Sequence, residues 1–210
     1  NLNAKISERE ANYTAGFSEP FFLNRDVYAS FNLFNNRMNY KESSYELKRE
    51  GFSFNSSFSL SEYLQQSVGY NLEERDVKPG SGASASIVAE EGKTVISQIS
   101  TSLTYNTLDN NQNPTEGMRI AGGSSLAGLG GDKKLLKFYN SGNLYKSYND
   151  KLLILDFGYT AGVVTGLDED VLISDRYFLG GNNFRGFKQS GLGPRDKNSG
   201  DSLGGNIYYT

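Results

Sequence analysis

The stretch Phe52-Ser53-Phe54-Asn55-Ser56-Ser57-Phe58-Ser59-Leu60 alternates with a period of two. In an extended chain successive side chains point to opposite faces. Phe52, Phe54, Phe58 and Leu60 therefore share one face, and Ser53, Asn55, Ser57 and Ser59 share the other. Such a strand has one apolar and one polar side. In a soluble sandwich the polar side meets bulk water; in a membrane barrel it meets the lumen. The alternation itself is the same in both.

The pattern recurs on either side of this stretch. Val27, Ala29, Phe31 and Leu33 alternate with Tyr28, Ser30 and Asn32. Val95, Ile99, Leu103 and Tyr105 lie opposite Gln98, Ser100, Ser102, Thr104 and Asn106. Leu153, Leu155, Phe157, Tyr159, Ala161 and Val163 lie opposite Asp156, Gly158, Thr160 and Gly162. Asp156 on the polar side of so apolar a strand points to a wet interior. The periodicity predicts strands at 1–7, 11–17, 26–36, 47–60, 64–75, 94–107, 116–125, 134–146 and 151–165, with the start of a further strand occupying 203–210. Most reach the ~9–11 residues that a tilted membrane strand needs, whereas soluble strands are typically nearer ~5–6.

The connections sort by length. Ser61-Glu62-Tyr63, the segment around Asn149-Asp150 and Asp109–Gly117 read as turns. Arg37–Glu46, Asp76–Lys93 and Gly166–Ser202 read as long loops, and they fall on the opposite rim. Short turns on one rim and long loops on the other are the outer-membrane arrangement. The tight turn at Glu8-Arg9 and the short Gly128–Lys133 depart from it on the long-loop rim. Pro79–Ser86 is rich in glycine and serine, but strands resume directly after it, so no domain boundary is expected there.

Composition narrows the function classes. The 210 residues include 24 Gly, 14 Tyr and 13 Phe, which suits barrel strands and interfacial aromatic girdles. The net charge of −3 argues against a nucleic-acid partner. Mean hydropathy is −0.53, and no run approaches the ~18 apolar residues of a spanning helix. There is no Cys and no His. A thiolate nucleophile and a His-based triad are thereby excluded, and the usual zinc ligands are absent. The double glycines lack the Gly-Lys-Ser/Thr ending of a phosphate loop. The acidic stretches Asp168-Glu169-Asp170 and Glu90-Glu91 read as solvated loop charges, with a cation that bridges lipopolysaccharide as the alternative at Asp168–Asp175. No catalytic constellation, metal site or cofactor site emerges. The chain opens and closes in strand-like sequence, at Asn1–Ala4 and Ile207–Thr210, and is expected to be part of a longer polypeptide.

The most specific motif is Tyr177-Phe178-Leu179-Gly180-Gly181-Asn182-Asn183-Phe184-Arg185-Gly186-Phe187, followed by Gly193-Pro194-Arg195-Asp196 and by Asp201–Asn206. Glycines allow sharp turns and close approach to a wall. Arg185 carries a rigid five-donor fork suited to a carboxylate, and Phe184 and Phe187 are expected to anchor the loop tip by burial. This ordered set resembles the loop that folds back into the barrel of BamA-like outer-membrane assembly factors, the surface-antigen or insertase superfamily. Ser18–Phe22 resembles that family's Pro-aromatic turn. Ala127–Asp132 is similar to a further family segment. Thr104–Asn110 is similar to a strand-end pattern in which Asn106 and Leu108 here replace the usual Asp and Arg.

The resemblance implies an all-β fold: a partial antiparallel transmembrane β-barrel of about nine strands plus the start of a tenth, out of sixteen. Residues 1–210 would be a fragment of the C-terminal barrel domain, with the inward loop at 166–202 and no POTRA domain. It further implies a non-enzymatic function in the bacterial outer membrane, the insertion and folding of nascent β-barrel proteins. The implied partners are unfolded barrel substrates, outer-membrane lipid or lipopolysaccharide, and assembly lipoproteins engaged through POTRA domains. The implied loop residues are Gly180, Gly181, Phe184, Arg185, Gly186, Phe187, Gly193, Pro194, Arg195 and Asp196. In the family that arginine contacts acidic residues on later strands; within this chain Asp201 and Asp156 are the nearest candidates. A two-partner-secretion transporter, a passive channel and a soluble sandwich remain the alternatives.

Overall fold

Ten strands pair antiparallel in chain order into one open sheet, in a computed structural model that describes residues 1–210. They are β1 (Leu2–Ile6), β2 (Glu10–Glu19), β3 (Val27–Tyr40), β4 (Tyr45–Ser59), β5 (Leu64–Pro79), β6 (Gly92–Asn106), β7 (Gly117–Ala127), β8 (Leu135–Tyr148), β9 (Leu153–Gly166) and β10 (Ile207–Tyr209). One short helix, α1 (Ala85–Val88), lies in the β5–β6 loop. β1 pairs only with β2 and β10 only with β9, so these two strands form the edges.

Parity assigns the faces. Tyr45 and Leu47 of β4 are buried against Ile87 and Ile173, which come from loops folded onto one side of the sheet. That side is the inside. Carried down β4 without a register break, the same parity turns Ser53, Asn55 and Ser57 inward and Phe52, Phe54 and Phe58 outward. An outward row, Phe31–Phe54–Tyr70–Ile99–Leu126–Leu136, crosses from β3 to β8. An inward row, Ser30–Asn55–Gly69–Ser100–Ser125–Lys137, runs beside it. Phe31, Phe54, Ile99, Leu155 and Phe157 are exposed. Only 26 of 210 residues are buried, and no second sheet covers the apolar face, so the sandwich reading fails. A face of that kind is stable against lipid, and no helix of the chain is long and apolar enough to cross a membrane.

The strands run further than their apolar stretches. β3 continues to Tyr40 and β4 starts at Tyr45, so the expected long loop Arg37–Glu46 shrinks to Lys41–Ser44. β5 reaches Pro79, which confines the next loop to residues 80–91. Cross-strand pairing explains the difference. Above the apolar row the outward positions become charged, and Arg37 pairs with Glu46 at 2.6 Å and Lys93 with Glu74 at 2.6 Å. Inside, the rings of Tyr40 and Tyr45 stack at 4.8 Å. Beyond the membrane a strand needs no apolar face, so hydropathy undercounts it. At the other end of the chain β10 begins at Ile207, not near 203, because Gly205 pairs with Tyr177 of the loop instead.

The packed interior lies at the long-loop end of the sheet. Tyr45, Leu47, Val77, Ile87 and Ile173 form one cluster. Ile96, Ala127, Leu135, Val164 and Val171 form a second. In both, side chains of the inner wall close on residues of the β9–β10 loop.

Candidate functional site: the inward-folded loop

The loop spanning 167–206 is held at two feet. The first is Val171–Phe178. Val171 and Ile173 enter the two apolar clusters. The Glu90 carboxylate accepts hydrogen bonds from the backbone N–H groups of Ile173 and of Ser174, the latter at 3.2 Å. Asp175, whose side chain is 2% exposed, places Oδ1 2.8 Å from Arg75 Nη1 and 3.1 Å from Lys137 Nζ. Burial opposes its ionisation, but the charges of Arg75 and then Lys137 outweigh burial and hold its carboxyl below the ordinary value. Arg75 also donates to Glu73, which accepts from Arg49 at 3.2 Å. Arg176 donates to the carbonyls of Val171 and Leu203, at 3.1 and 3.2 Å, and so ties the first foot to the second.

The second foot is Asp201–Tyr208. The buried Asp201 carboxylate accepts from Ser44 Oγ at 2.6 Å and from the Ser84 N–H at 2.7 Å. The Ser202 N–H donates to the Glu42 carbonyl, and Ser43 Oγ donates to the Ser202 carbonyl. Tyr177 and Gly205 exchange two backbone hydrogen bonds of 2.9 Å. The rings of Tyr177 and Tyr208 pack at 4.5 Å over Gly162, where a Cβ would lie 2.5 Å from the Tyr208 ring. Gly162 thus makes room on β9 for both tyrosines.

Between the feet the motif residues form local turns. Gly180 and Gly181 have φ of 126° and 67°, conformations that disfavour other residues. The Gly180 N–H donates to Asn183 Oδ1, Asn183 Nδ2 donates to the Phe178 carbonyl, and the Gly181 N–H donates to the Phe187 carbonyl at 2.9 Å. In Gly193-Pro194-Arg195-Asp196, the Pro194 carbonyl accepts from the Leu203 N–H. Arg195 donates to the carbonyls of Gly200 and Ser190 at 2.9 and 3.2 Å. Asp196 accepts from the N–H groups of Ser199 and Asn198, which lower its pKa.

The tip departs from expectation. Phe184 and Phe187 pack on each other at 5.3 Å but remain 38% and 48% exposed. They do not anchor the loop by burial, because no strand of this chain covers the turn they occupy. Gly186, at φ 89°, has nothing near its Cα where a side chain would point. Arg185 is exposed and forms no ion pair. Neither acidic candidate reaches it. Asp201 is engaged by Ser44 and Ser84, and Asp156 sits opposite Tyr145 on the inner face of β9.

Of the two acidic stretches expected to be solvated, Glu90-Glu91 is not wholly so, since Glu90 is buried and bonded within the loop foot; Asp175, beyond Asp168-Glu169-Asp170, is buried there as well. The register of β5 and β8 puts Glu73, Arg75 and Lys137 on the inner wall. The sequence carried no signal pairing them with Asp175, which is 100 residues from Arg75 along the chain.

An open antiparallel sheet with an apolar outer face, a polar inner face and a loop folded onto that inner face defines a segment of an outer-membrane β-barrel. The Omp85 superfamily domain matches residues 1–210, and the chain belongs to that superfamily. It is 31% identical over 201 residues to the outer membrane protein assembly factor BamA of Neorickettsia risticii (strain Illinois), covering 94% of this chain and 27% of that protein. It is 25% identical over 210 residues to BamA of Nitratidesulfovibrio vulgaris, covering 97% of this chain and 26% of that one. The sorting and assembly machinery component 50 homolog of Bos taurus is 31% identical over 134 residues, 60% of this chain and 27% of the bovine protein. The chain spans about a quarter of the length of these relatives. The crystal structure of BamA from Haemophilus ducreyi lacking POTRA domains 1–3 superposes with a TM-score of 0.86 at 19% identity, over 99% of this chain and 45% of that one, which establishes the shared barrel fold. The membrane concerned is the bacterial outer membrane.

Proposed function

We propose that these residues form part of an assembly factor that inserts and folds nascent β-barrel proteins into the outer membrane. The observation that carries this reading is the 31% identity to a BamA over 94% of the chain. The braced inward loop supports it. The mechanism uses no covalent chemistry. A poorly closed seam between the first and last strands of the complete barrel offers backbone hydrogen bonds to an incoming strand, as in β-augmentation. The loop tip, with Arg185 between Phe184 and Phe187, braces wall strands contributed by residues outside this chain, where the planar guanidinium meets a carboxylate. Gly180, Gly181 and Gly186 shape the turn, and Gly193–Asp196 stiffens its return. Partners are unfolded barrel proteins and outer-membrane lipid or lipopolysaccharide, with lipoproteins engaged through POTRA domains.

The test is complementation of a strain depleted of its own assembly factor with the full-length protein, wild type or Arg185→Ala. Wild type should restore folded outer-membrane barrels, Arg185→Ala should not, and Arg185→Lys should restore them in part, because lysine lacks the planar fork. Normal barrel levels with Arg185→Ala refute the role of the tip. Export of one polypeptide, or ion conductance alone, without barrel insertion favours a secretion transporter or passive channel.

A further inference from the structure

The first foot grips the inward loop through a buried ion pair, far from the motif at its tip. Asp175 Oδ1 meets Arg75 of β5 at 2.8 Å and Lys137 of β8 at 3.1 Å. β6 and β7 lie between those two strands. One carboxylate thus spans a chord of the curved sheet and ties two wall segments that strand pairing does not join directly. Arg75 is held in turn by Glu73, so its fork is aimed at Asp175 from a fixed side. Glu90 grips the backbone just ahead of Asp175 from the β5–β6 loop. The tip has no such partner. The side chains of residues 182–189 form no hydrogen bond or ion pair with a strand of the sheet.

We infer that Asp175 is the positioning residue of the inward loop: it fixes where the loop sits on the inner wall by bridging Arg75 and Lys137, independently of Arg185 at the tip. Charge complementarity gives the reason. A neutral side chain at 175 leaves two cations converging on one point, with Glu73 shared between Arg75 and Arg49 and no anion left for Lys137. Two like charges in a poorly solvated place repel, and the foot loses the anion that held it between them. A lone exposed arginine at the tip has no comparable hold. The importance of this placement for assembly rests on the function proposed above; the placement itself does not.

The experiment is amide hydrogen exchange on the full-length protein in lipid vesicles. Asp175→Asn should speed exchange at residues 173–178 by tenfold or more while the amides of β5 and β8 keep their protection. Asp175→Glu should recover at least half of that protection, which a role in bulk packing alone would not give. Arg185→Ala should leave exchange at 173–178 within twofold of wild type. Exchange within twofold of wild type in Asp175→Asn overturns the inference, and so does loosening by Arg185→Ala as large as that of Asp175→Asn. If Asp175→Asn loses the heat-modifiable mobility of a folded barrel, Lys137→Met replaces it. That variant removes one of the two cations, and exchange at the foot should rise about threefold; an unchanged rate overturns the inference. A loosened foot with normal barrel assembly upholds the positioning role and refutes its importance for assembly; failure of the wild type to assemble barrels refutes the proposed function and leaves the positioning role standing. An undisturbed foot with lost assembly refutes the positioning role alone.

Discussion

Ile87→Ala offers the sharpest test of how the loops interlock. Ile87 is on α1 in the β5–β6 loop, is 0% exposed, and packs among Tyr45, Leu47, Val77 and Ile173. Alanine removes three carbons, worth about 2.4 kcal/mol at ~0.8 kcal/mol for each. The residual cavity adds to this, and measured Ile→Ala substitutions in cores cost about 2–5 kcal/mol. A value near 3 kcal/mol corresponds to roughly a 150-fold change in an opening equilibrium at ~1.36 kcal/mol per tenfold. The opened unit is the loop of residues 80–91, whose hold on the rest includes the Ser84 N–H on Asp201 and the Glu90 carboxylate on the amides of Ile173 and Ser174. Exchange of the Ser84 and Ile173 amides should therefore accelerate by about 100-fold. Val88 is the internal control. It is the next residue on the same helix but 48% exposed, so Val88→Ala should change exchange by less than about threefold. Acceleration below about fivefold in Ile87→Ala would show that the loops are held by their polar contacts alone. Equal acceleration throughout β4, β5 and β6 would show that the β5–β6 loop does not open as a separate unit.

The remaining expectations concern the wall and the charge at the foot. Phe54→Arg, on the outward apolar row, should lower barrel stability by about 2–4 kcal/mol in denaturant titrations in lipid, whereas Asn55→Arg, inward on the same strand, should cost much less; equal effects would refute the assigned faces. Gly162→Ala forces a Cβ to within 2.5 Å of the Tyr208 ring and 3.0 Å of Tyr177, and overpacking of this kind costs about 1–3 kcal/mol. Loss of near-ultraviolet tyrosine dichroism is the readout, and an unchanged spectrum would argue against the tyrosine pair. Because the carboxyl of Asp175 is held below its ordinary value, its contribution is complete above the unfolded carboxylate pKa of ~3.9 and fades as the pH falls through the lowered folded value. The foot should thus stay protected on acidification to about pH 4 and loosen below it. In Asp175→Asn this acid limb should disappear; its persistence would assign it to another group.

The sequence by itself determined the wall. Alternation in Phe52–Leu60 and its three repeats separated an apolar from a polar face in those strands, since a period of two is a local property of extended chain; which face is the inner one was decided by the loops folded onto it. Short connections such as Ser61–Tyr63 allow only antiparallel neighbours, whereas the structure decides the pairing of β5 with β6 and of β9 with β10 across their longer loops. Glycines at 180, 181 and 186 marked turns because few other residues adopt their dihedrals. The ends of β3 and β5 were not legible, since ion pairs such as Arg37–Glu46 carry those strands beyond the apolar belt that hydropathy detects. The loop divided in the same way. Its existence and its motif could be read directly, but its fastening could not. Asp175 meets Arg75 and Lys137, Glu90 meets Ile173 and Ser174, and Asp201 meets Ser44 and Ser84 only when the chain folds back across the curved sheet. Those partners lie in distant segments of the chain and share no local pattern. Asp175 is one acid among several in an acidic loop by sequence, and becomes the buried fastening of that loop only once the wall delivers two cations to the same point.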